Sequence, residues 1–260
     1  MRIAVCYSGY IRTGAIAAAW HNHFFDGTDI DVFMHTWSTS KNKLWHPESI
    51  NYVIDNQKIV EENSIPKIVE FQNALERSFV SLLVEDQSVW EKSAIFPSNH
   101  VSPLWYSWAK SINLVNDYSR ESSTKYDLIL KMRPDIIFPK THRLVNEFDH
   151  FNQNKNIFYA MAYNDFRIDD VMFYATPEIM YRASKFYEWL KNLNCRWQTN
   201  IFAEYMNEIK IQATGISLPA SYACIRPETQ HLKTFDEIFW GERKYYAPKK
   251  KFTQQMTAAK

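Results

Sequence analysis

The sequence predicts an α/β fold in which one mixed β-sheet is flanked by helices. Three observations predict it. A strand, a helix and a second strand follow one another at the start of the chain. A helical segment runs into an apolar strand near the middle. Short apolar runs then alternate with helical patterns through the second half. The chain has 260 residues, 46% hydrophobic and 23% charged, enough to build a sizeable core.

The elements can be justified in order. Ile3 to Ser8 is a short apolar run ending at Gly9 and reads as a buried strand. Thr13 to Phe25 reads as a helix, with Ala15, Ala17, Ala18 and Ala19 as strong helix formers and Thr13 as its cap. Asp31 to Thr36 is the second strand, and this succession predicts a right-handed parallel unit. Residues 40–65 read as polar and irregular, Ile65 to Glu70 as a third strand, and residues 72–100 as mixed. Pro103 opens a helix reaching Ser119, with Leu104, Trp108, Ile112 and Val115 near helical spacing. Tyr126 to Lys131 is a strand that Arg133-Pro134-Asp135 interrupts and Ile136 to Phe138 resumes. Ile157 to Ala162 and Asp170 to Ala175 read as strands. Pro177 to Asn192 and Trp197 to Ile209 read as helices, the first opened by its proline. Gln212 to Pro219 reads as a loop or edge strand. No repeat or linker divides residues 1–242, which read as a single domain, and residues 243–260 read as a basic and polar tail.

Composition excludes several classes. A net charge of +1 with dispersed basic residues argues against a nucleic-acid partner. Three cysteines (Cys6, Cys195, Cys224) form no Cys-x-x-Cys pair and suggest a reducing compartment. The apolar start is too short for a signal peptide, and no apolar run is long enough to cross a bilayer. A cytoplasmic location is expected. Aromatic residues reach 16%, which suits both a ring-rich core and exposed stacking platforms.

Several motifs fail. The five glycines include no Gly-x-Gly, so the dinucleotide fingerprint is absent. Gly9 and Gly14 have P-loop spacing, but Ala15-Ile16 stand where Lys and Ser/Thr are required. There is no His-Glu-x-x-His and no Gly-x-Ser-x-Gly. His21 and His23 are two apart on a helix and read as surface histidines rather than metal ligands.

Three constellations survive. Ser8-Gly9-Tyr10-Ile11-Arg12-Thr13-Gly14 joins a strand end to a helix start, where amide groups and the helix dipole favour an anion. Gly9 allows close approach of a ligand, and Arg12 offers a fork of donors to a phosphate. The alternative is a tight turn with a surface Arg. Tyr126 to Phe138 delivers Arg133 and Asp135 at the end of a buried strand, where a lone charge would be costly. Such a carboxylate suits a divalent metal, or a ribose and diphosphate; the alternative is an internal ion pair. Asp165-Phe166-Arg167-Ile168-Asp169-Asp170 leads into an apolar strand and offers a general base, Asp170 before Asp169, with Glu204 as another candidate. A solvated acidic loop is the competing reading. Trp105, Tyr106 and Trp108 suit stacking on a base or sugar, although such a cluster is more often core.

The segment YDLILKMRPDIIF resembles one found in GT-A-type glycosyltransferases of bacterial polysaccharide loci and some viruses. RIAVCYSGYIRTG, DIDVFMHTW and SPLWYSWAKSINLVNDY resemble the opening, the second strand and the preceding helix of those proteins; RIDDVMFYATPEIM matches more loosely. The resemblance implies a GT-A-like, Rossmann-like sheet with a nucleotide-binding half (residues 1–140) and an acceptor half (141–242). It implies sugar transfer from a nucleoside-diphosphate donor to a hydroxyl of a glycan or lipid-linked glycan, in surface polysaccharide or glycoconjugate synthesis. Donor contacts would fall to Ser8, Gly9, Arg12, Tyr106, Arg133 and Asp135. Asp135 takes the last position of the family's Asp-x-Asp, but Arg133 replaces the first Asp. Either Asp135 alone holds manganese or magnesium, or Arg133 itself neutralises the diphosphate. The basic tail, with Tyr245 and Tyr246, would allow a peripheral contact at the inner membrane face. Two other functions fit the same frame: a non-catalytic carbohydrate-binding or scaffold protein, and another nucleotide-dependent transferase.

Overall fold

The structure, a computed structural model, describes residues 1–43, 59–94, 102–161, 163–164, 167–168, 171–190, 201–215 and 223–224, with Thr234 and Glu237. Strand β1 (Arg2–Ser8) lies in the interior of a seven-stranded sheet. On one side it pairs in parallel with β2 (Asp29–Trp37), which pairs in parallel with β5 (Phe79–Glu85). On its other side it pairs in parallel with β6 (Leu128–Met132). Beyond β6 come β11 (Met172–Ala175, antiparallel), β8 (Phe158–Ala160) and the edge strand β12 (Ala213–Gly215). The order is β5-β2-β1-β6-β11-β8-β12. A mixed sheet with helices on both faces is compatible with a Rossmann-like fold.

Strand alternation explains the layers. Ile3, Val5 and Tyr7 face one core with Leu128, Leu130 and Met132. Helices α1 (Ala15–Phe24) and α2 (Ile65–Ala74) cover that face with Ala17, Ala18, Phe24, Ile68 and Phe71. Ala4, Cys6, Phe33 and Ile129 face the opposite core, under α4 (Ser102–Ser122). Trp105, Trp108, Ile112 and Val115 supply the buried stripe of that helix. Each such side chain contributes about 1.5–3 kcal/mol when fully buried. Cys6 is buried among them as a free thiol whose pKa burial pushes well up.

Several expectations need correction. Ile65 to Glu70 is helical. Pro66 sits in the first turn, and Ile68, Phe71 and Leu75 recur at helical spacing toward the core, while β-branched Ile65 and Val69 face outward. The stretch read as irregular contains two antiparallel strands, β3 (Thr39–Lys43) and β4 (Ile59–Asn63). The mixed stretch contains β5 and helix α3 (Gln87–Ser93), capped by the Asp86 carboxylate on the Ser88 amide. Helix α1 begins at Ala15 after Gly14, with no side-chain cap from Thr13. The helix expected over Pro177 to Asn192 breaks into α6 (Pro177–Ser184) and α7 (Phe186–Leu190). At that break the Ser184 hydroxyl donates to the Tyr181 carbonyl, and the Lys185 amide bonds three residues back. Residues 191 and 192 lie outside the described residues. Finally, β7 (Ile136–Ile137) does not resume β6; it pairs with β13 (Ala223–Cys224), because Pro134 has no amide to continue the ladder.

Candidate functional site

The chain places β2 and β5 successively on one side of β1, then crosses to the other side for β6. Strand order therefore reverses between β1 and β6. In open α/β sheets the crevice at the carboxyl ends of such strands receives ligands. Here the two strand ends carry the residues Ser8 to Gly14 and Arg133 to Asp135.

Arg12 and Arg133 converge on Asp135. The Arg133 guanidinium donates through Nε to Oδ1 at 3.0 Å and through a terminal nitrogen to Oδ2 at 2.9 Å. Arg12 donates to the same Oδ2. The Asp135 side chain is only 1% exposed, whereas Arg12 and Arg133 keep 19% and 18% of their side-chain surface. The Arg12 guanidinium also lies over the Tyr10 ring, 5.4 Å from its centroid. Tyr10 donates its hydroxyl to Gln87, and burial pushes its pKa up to about 12.

Backbone bonds fix both sides of the trio. The Arg133 amide donates to the Val171 carbonyl at 3.1 Å, tying the end of β6 to the start of β11. Behind Asp135, His21 bridges the Tyr7 hydroxyl (2.9 Å) and the Ile136 carbonyl (2.6 Å). A carbonyl only accepts, so Nε2 carries the proton and Tyr7 donates to Nδ1. His21 is thus a fully buried bracket, and not the surface histidine expected from its spacing; burial lowers its pKa to about 4. His23 is half-buried and bonds the Lys140 carbonyl.

On the other side of Gly9 lies a second network. The Gly9 amide donates to Ser107 Oγ at 2.9 Å, and Thr36 donates to the Gly9 carbonyl at 2.8 Å. The first of these amides is therefore engaged, so the anion-facing character of the loop rests on Arg12. Ser107 Oγ lies 2.8 Å from His35 Nδ1, and His35 Nε2 donates to Glu85 at 2.6 Å. Tyr106 donates to the other Glu85 oxygen at 3.1 Å. Burial lowers the His35 pKa, while the proton donated by His35 holds Glu85 below the usual carboxylate range. Gly9 adopts φ +110°, a conformation that favours glycine. The hydroxyls of Ser8 and Thr13 are buried, with no hydrogen-bond partner among the described residues.

The structure thus brings Arg12, Arg133 and Asp135 together, with Ser8 and Gly9 on the segment that leads to Arg12 and Tyr106 in the Glu85 network beyond Gly9. The Tyr106 ring stacks on Trp37, 5.7 Å between centroids, and Trp105 and Trp108 are core. Asp169 and Asp170 lie outside the described residues, as does the basic tail from residue 243. Glu204 is exposed on α8 (Ile201–Glu208). His35, Ser107 and Glu85 carry no role in the sequence reading, His21 reads there as a surface histidine, and Tyr10 enters it only as part of the Ser8 to Gly14 loop. Tyr10, two residues before Arg12, was the one with a signal.

A divalent cation fits this trio poorly. Both Asp135 oxygens accept from guanidinium groups, which a metal ion there would have to displace. No group of three metal-capable side chains occurs among the described residues. No helix among them is long and apolar enough to cross a membrane. The sequence matches no protein-family model and no curated protein. The structure defines the class only as an α/β domain with a seven-stranded mixed sheet flanked by helices.

Proposed function

We propose that the protein is a GT-A-like glycosyltransferase that moves a sugar from a nucleoside diphosphate to a hydroxyl of a glycan acceptor. One observation carries the reading. Two partly exposed guanidinium groups, Arg12 and Arg133, meet at the carboxyl ends of the two strands that flank the switch point. A fork of donors there suits a diphosphate in charge and geometry.

In this reading the acceptor oxygen bonds to the anomeric carbon of the donor sugar. The bond to the diphosphate oxygen breaks and leaves its electron pair on the diphosphate, whose developing charge Arg12 and Arg133 stabilise. The hydroxyl proton passes to a carboxylate base. Asp170 is assigned that role because it adjoins Val171, the residue bonded to the Arg133 backbone. Asp169 is the alternate. Glu204, exposed on α8, is the weaker candidate.

The test is calorimetry with a panel of nucleoside diphosphates, followed by turnover with the matching sugar nucleotides and a glycan acceptor. Asp170→Asn should lower turnover by about 10²–10⁴-fold with little change in donor affinity. Glu204→Gln should leave turnover within about twofold. Failure of every nucleoside diphosphate to bind sinks the proposal. Binding without transfer, across a panel of acceptors, favours the carbohydrate-binding or scaffold alternative.

A further inference from the structure

Resting on the sugar-nucleotide reading above, we infer that the Glu85 carboxylate is a further ligand contact and receives two adjacent hydroxyl groups of the donor, from its ribose or its sugar. Glu85 is the last residue of β5 and lies opposite Trp37 at the end of β2. Both strands run parallel with β1, so the carboxylate stands at the same edge of the sheet as the Ser8 to Gly14 loop. Open α/β sheets receive ligands at that edge. The rim between the two is continuous. The Arg12 guanidinium lies over the Tyr10 ring, Tyr10 donates to Gln87, and Gln87 is two residues from Glu85.

The carboxylate is held in a fixed direction. His35 Nε2 donates to Oε2 at 2.6 Å, and the Tyr106 hydroxyl donates to Oε1 at 3.1 Å. A carboxylate oxygen can accept two bonds, so each keeps one acceptor direction beyond its bond within the described residues. Glu85 retains 29% of its side-chain surface, whereas His35 behind it is fully buried. Ser107 on α4 fixes the His35 ring in turn, so the acceptor is oriented before a ligand arrives. The bond from His35 holds Glu85 below the usual carboxylate range, which makes it an ionised acceptor and a poor base. Such a group repels phosphate and suits a neutral donor. Two adjacent hydroxyls match its two oxygens. A nucleobase edge suits the place less well, because a base gains from a ring face and the rings around Glu85 are engaged. Trp37 and Trp90 are buried. Tyr106 is stacked on Trp37, and the Lys110 ammonium lies over its ring, 5.2 Å from the centroid.

Calorimetry on the full chain tests this in two arms. In the first, ADP, GDP, CDP and UDP are compared with their 2′,3′-dideoxy forms. In the second, sugar nucleotides of the best-binding base are compared with their 2-deoxy-sugar and 4-deoxy-sugar forms. Loss of the hydroxyls should weaken wild-type binding by more than about tenfold in one arm, the first if the ribose meets Glu85 and the second if the sugar does. Glu85→Gln keeps the size and turns one acceptor into a donor. It should weaken the hydroxyl-bearing ligand of that arm and bring the ratio of the pair to within about threefold. A merely structural role would weaken both members of the pair and leave their ratio unchanged. Circular dichroism checks the fold, and Glu85→Asp, which draws the oxygens back by one carbon, replaces Glu85→Gln if that variant does not fold. Wild-type ratios within about threefold in both arms, or a ratio that survives in the folded variant, overturn this inference and leave the donor reading standing. Binding of no nucleoside diphosphate and no sugar nucleotide overturns both.

Discussion

Gly9 stands between two polar clusters that differ in one physical respect. On one side, Arg12, Arg133 and Asp135 form a trio in which two partly exposed guanidinium groups share one buried carboxylate. On the other, Ser107, His35, Glu85 and Tyr106 form a chain that closes on itself. Ser107 can serve either protonation state of His35. It donates to Nδ1 when the ring is neutral. When the ring is charged it accepts from Nδ1 and donates to the His35 carbonyl, 3.1 Å away. The closed chain holds the loop, and the trio presents two guanidinium groups at the strand ends. Buried polarity alone does not distinguish the two; the sign of the group that keeps surface does, cationic at Arg12 and Arg133 and a carboxylate at Glu85.

The widest expected gap between the two sides is in stability. Arg133→Ala removes two of the guanidinium contacts to a carboxylate that is 1% exposed. It should cost about 3–5 kcal/mol, the usual result of breaking a buried ion pair from one end. Ser107→Ala should cost about 1–3 kcal/mol, the loss of a buried hydroxyl and its bonds. Urea unfolding of both variants gives the numbers. Equal losses would erase the distinction drawn between trio and chain.

Acid sharpens the comparison from behind the trio. Burial brings the folded-state pKa of His21 from 6.5 down to about 4. The unfolded chain therefore binds a proton first as pH falls. The contribution is fully present above about pH 6.5 and is lost as pH drops toward about 4, roughly 3 kcal/mol in all. His35 shifts in the same direction, opposed by Glu85. Urea midpoints at pH 7 and 4.5 should fall steeply for the wild type and less steeply for His21→Gln. Parallel slopes would mean that His21 does not remain neutral in the fold.

What the sequence revealed follows the same division. Arg133 and Asp135 were legible because charged residues after Leu128-Ile129-Leu130 need partners, and Arg12 because it follows a strand-ending glycine. The chain of Ser107, His35 and Glu85 was not legible. Its members come from three separated elements, and none breaks an apolar pattern in a telling way. The β1–α1–β2 unit, α4 and β6 were legible from period and composition. Helix α2 was not, since Ile65, Ile68 and Val69 look strand-like until Pro66 and the spacing of Phe71 and Leu75 are weighed. His21 misled for a related reason: spacing told that it and His23 diverge, but not which of them points inward.

The smallest expected effects concern the two glycines of the loop, which separate backbone strain from crowding. A Cβ on Gly14 would meet Glu70 Oε2 at 2.6 Å, and φ there is +46°. A Cβ on Gly9 would meet nothing within 4 Å, so only its φ of +110° opposes a side chain. Gly9→Ala should therefore cost about 1–2 kcal/mol from strain alone. Gly14→Ala should cost somewhat more, because the Glu70 carboxylate must swing aside and its Cβ, 3.3 Å away, must also give. The Gly9 backbone is clamped at both its amide and its carbonyl, by Ser107 and Thr36. The strain therefore has no easy release except into the loop that carries Arg12. Thermal unfolding measures the first consequence and diphosphate affinity the second. A Gly9→Ala protein of unchanged stability and weakened affinity would show that the loop relaxes toward the trio; unchanged affinity and lost stability would show that the Ser107 clamp holds.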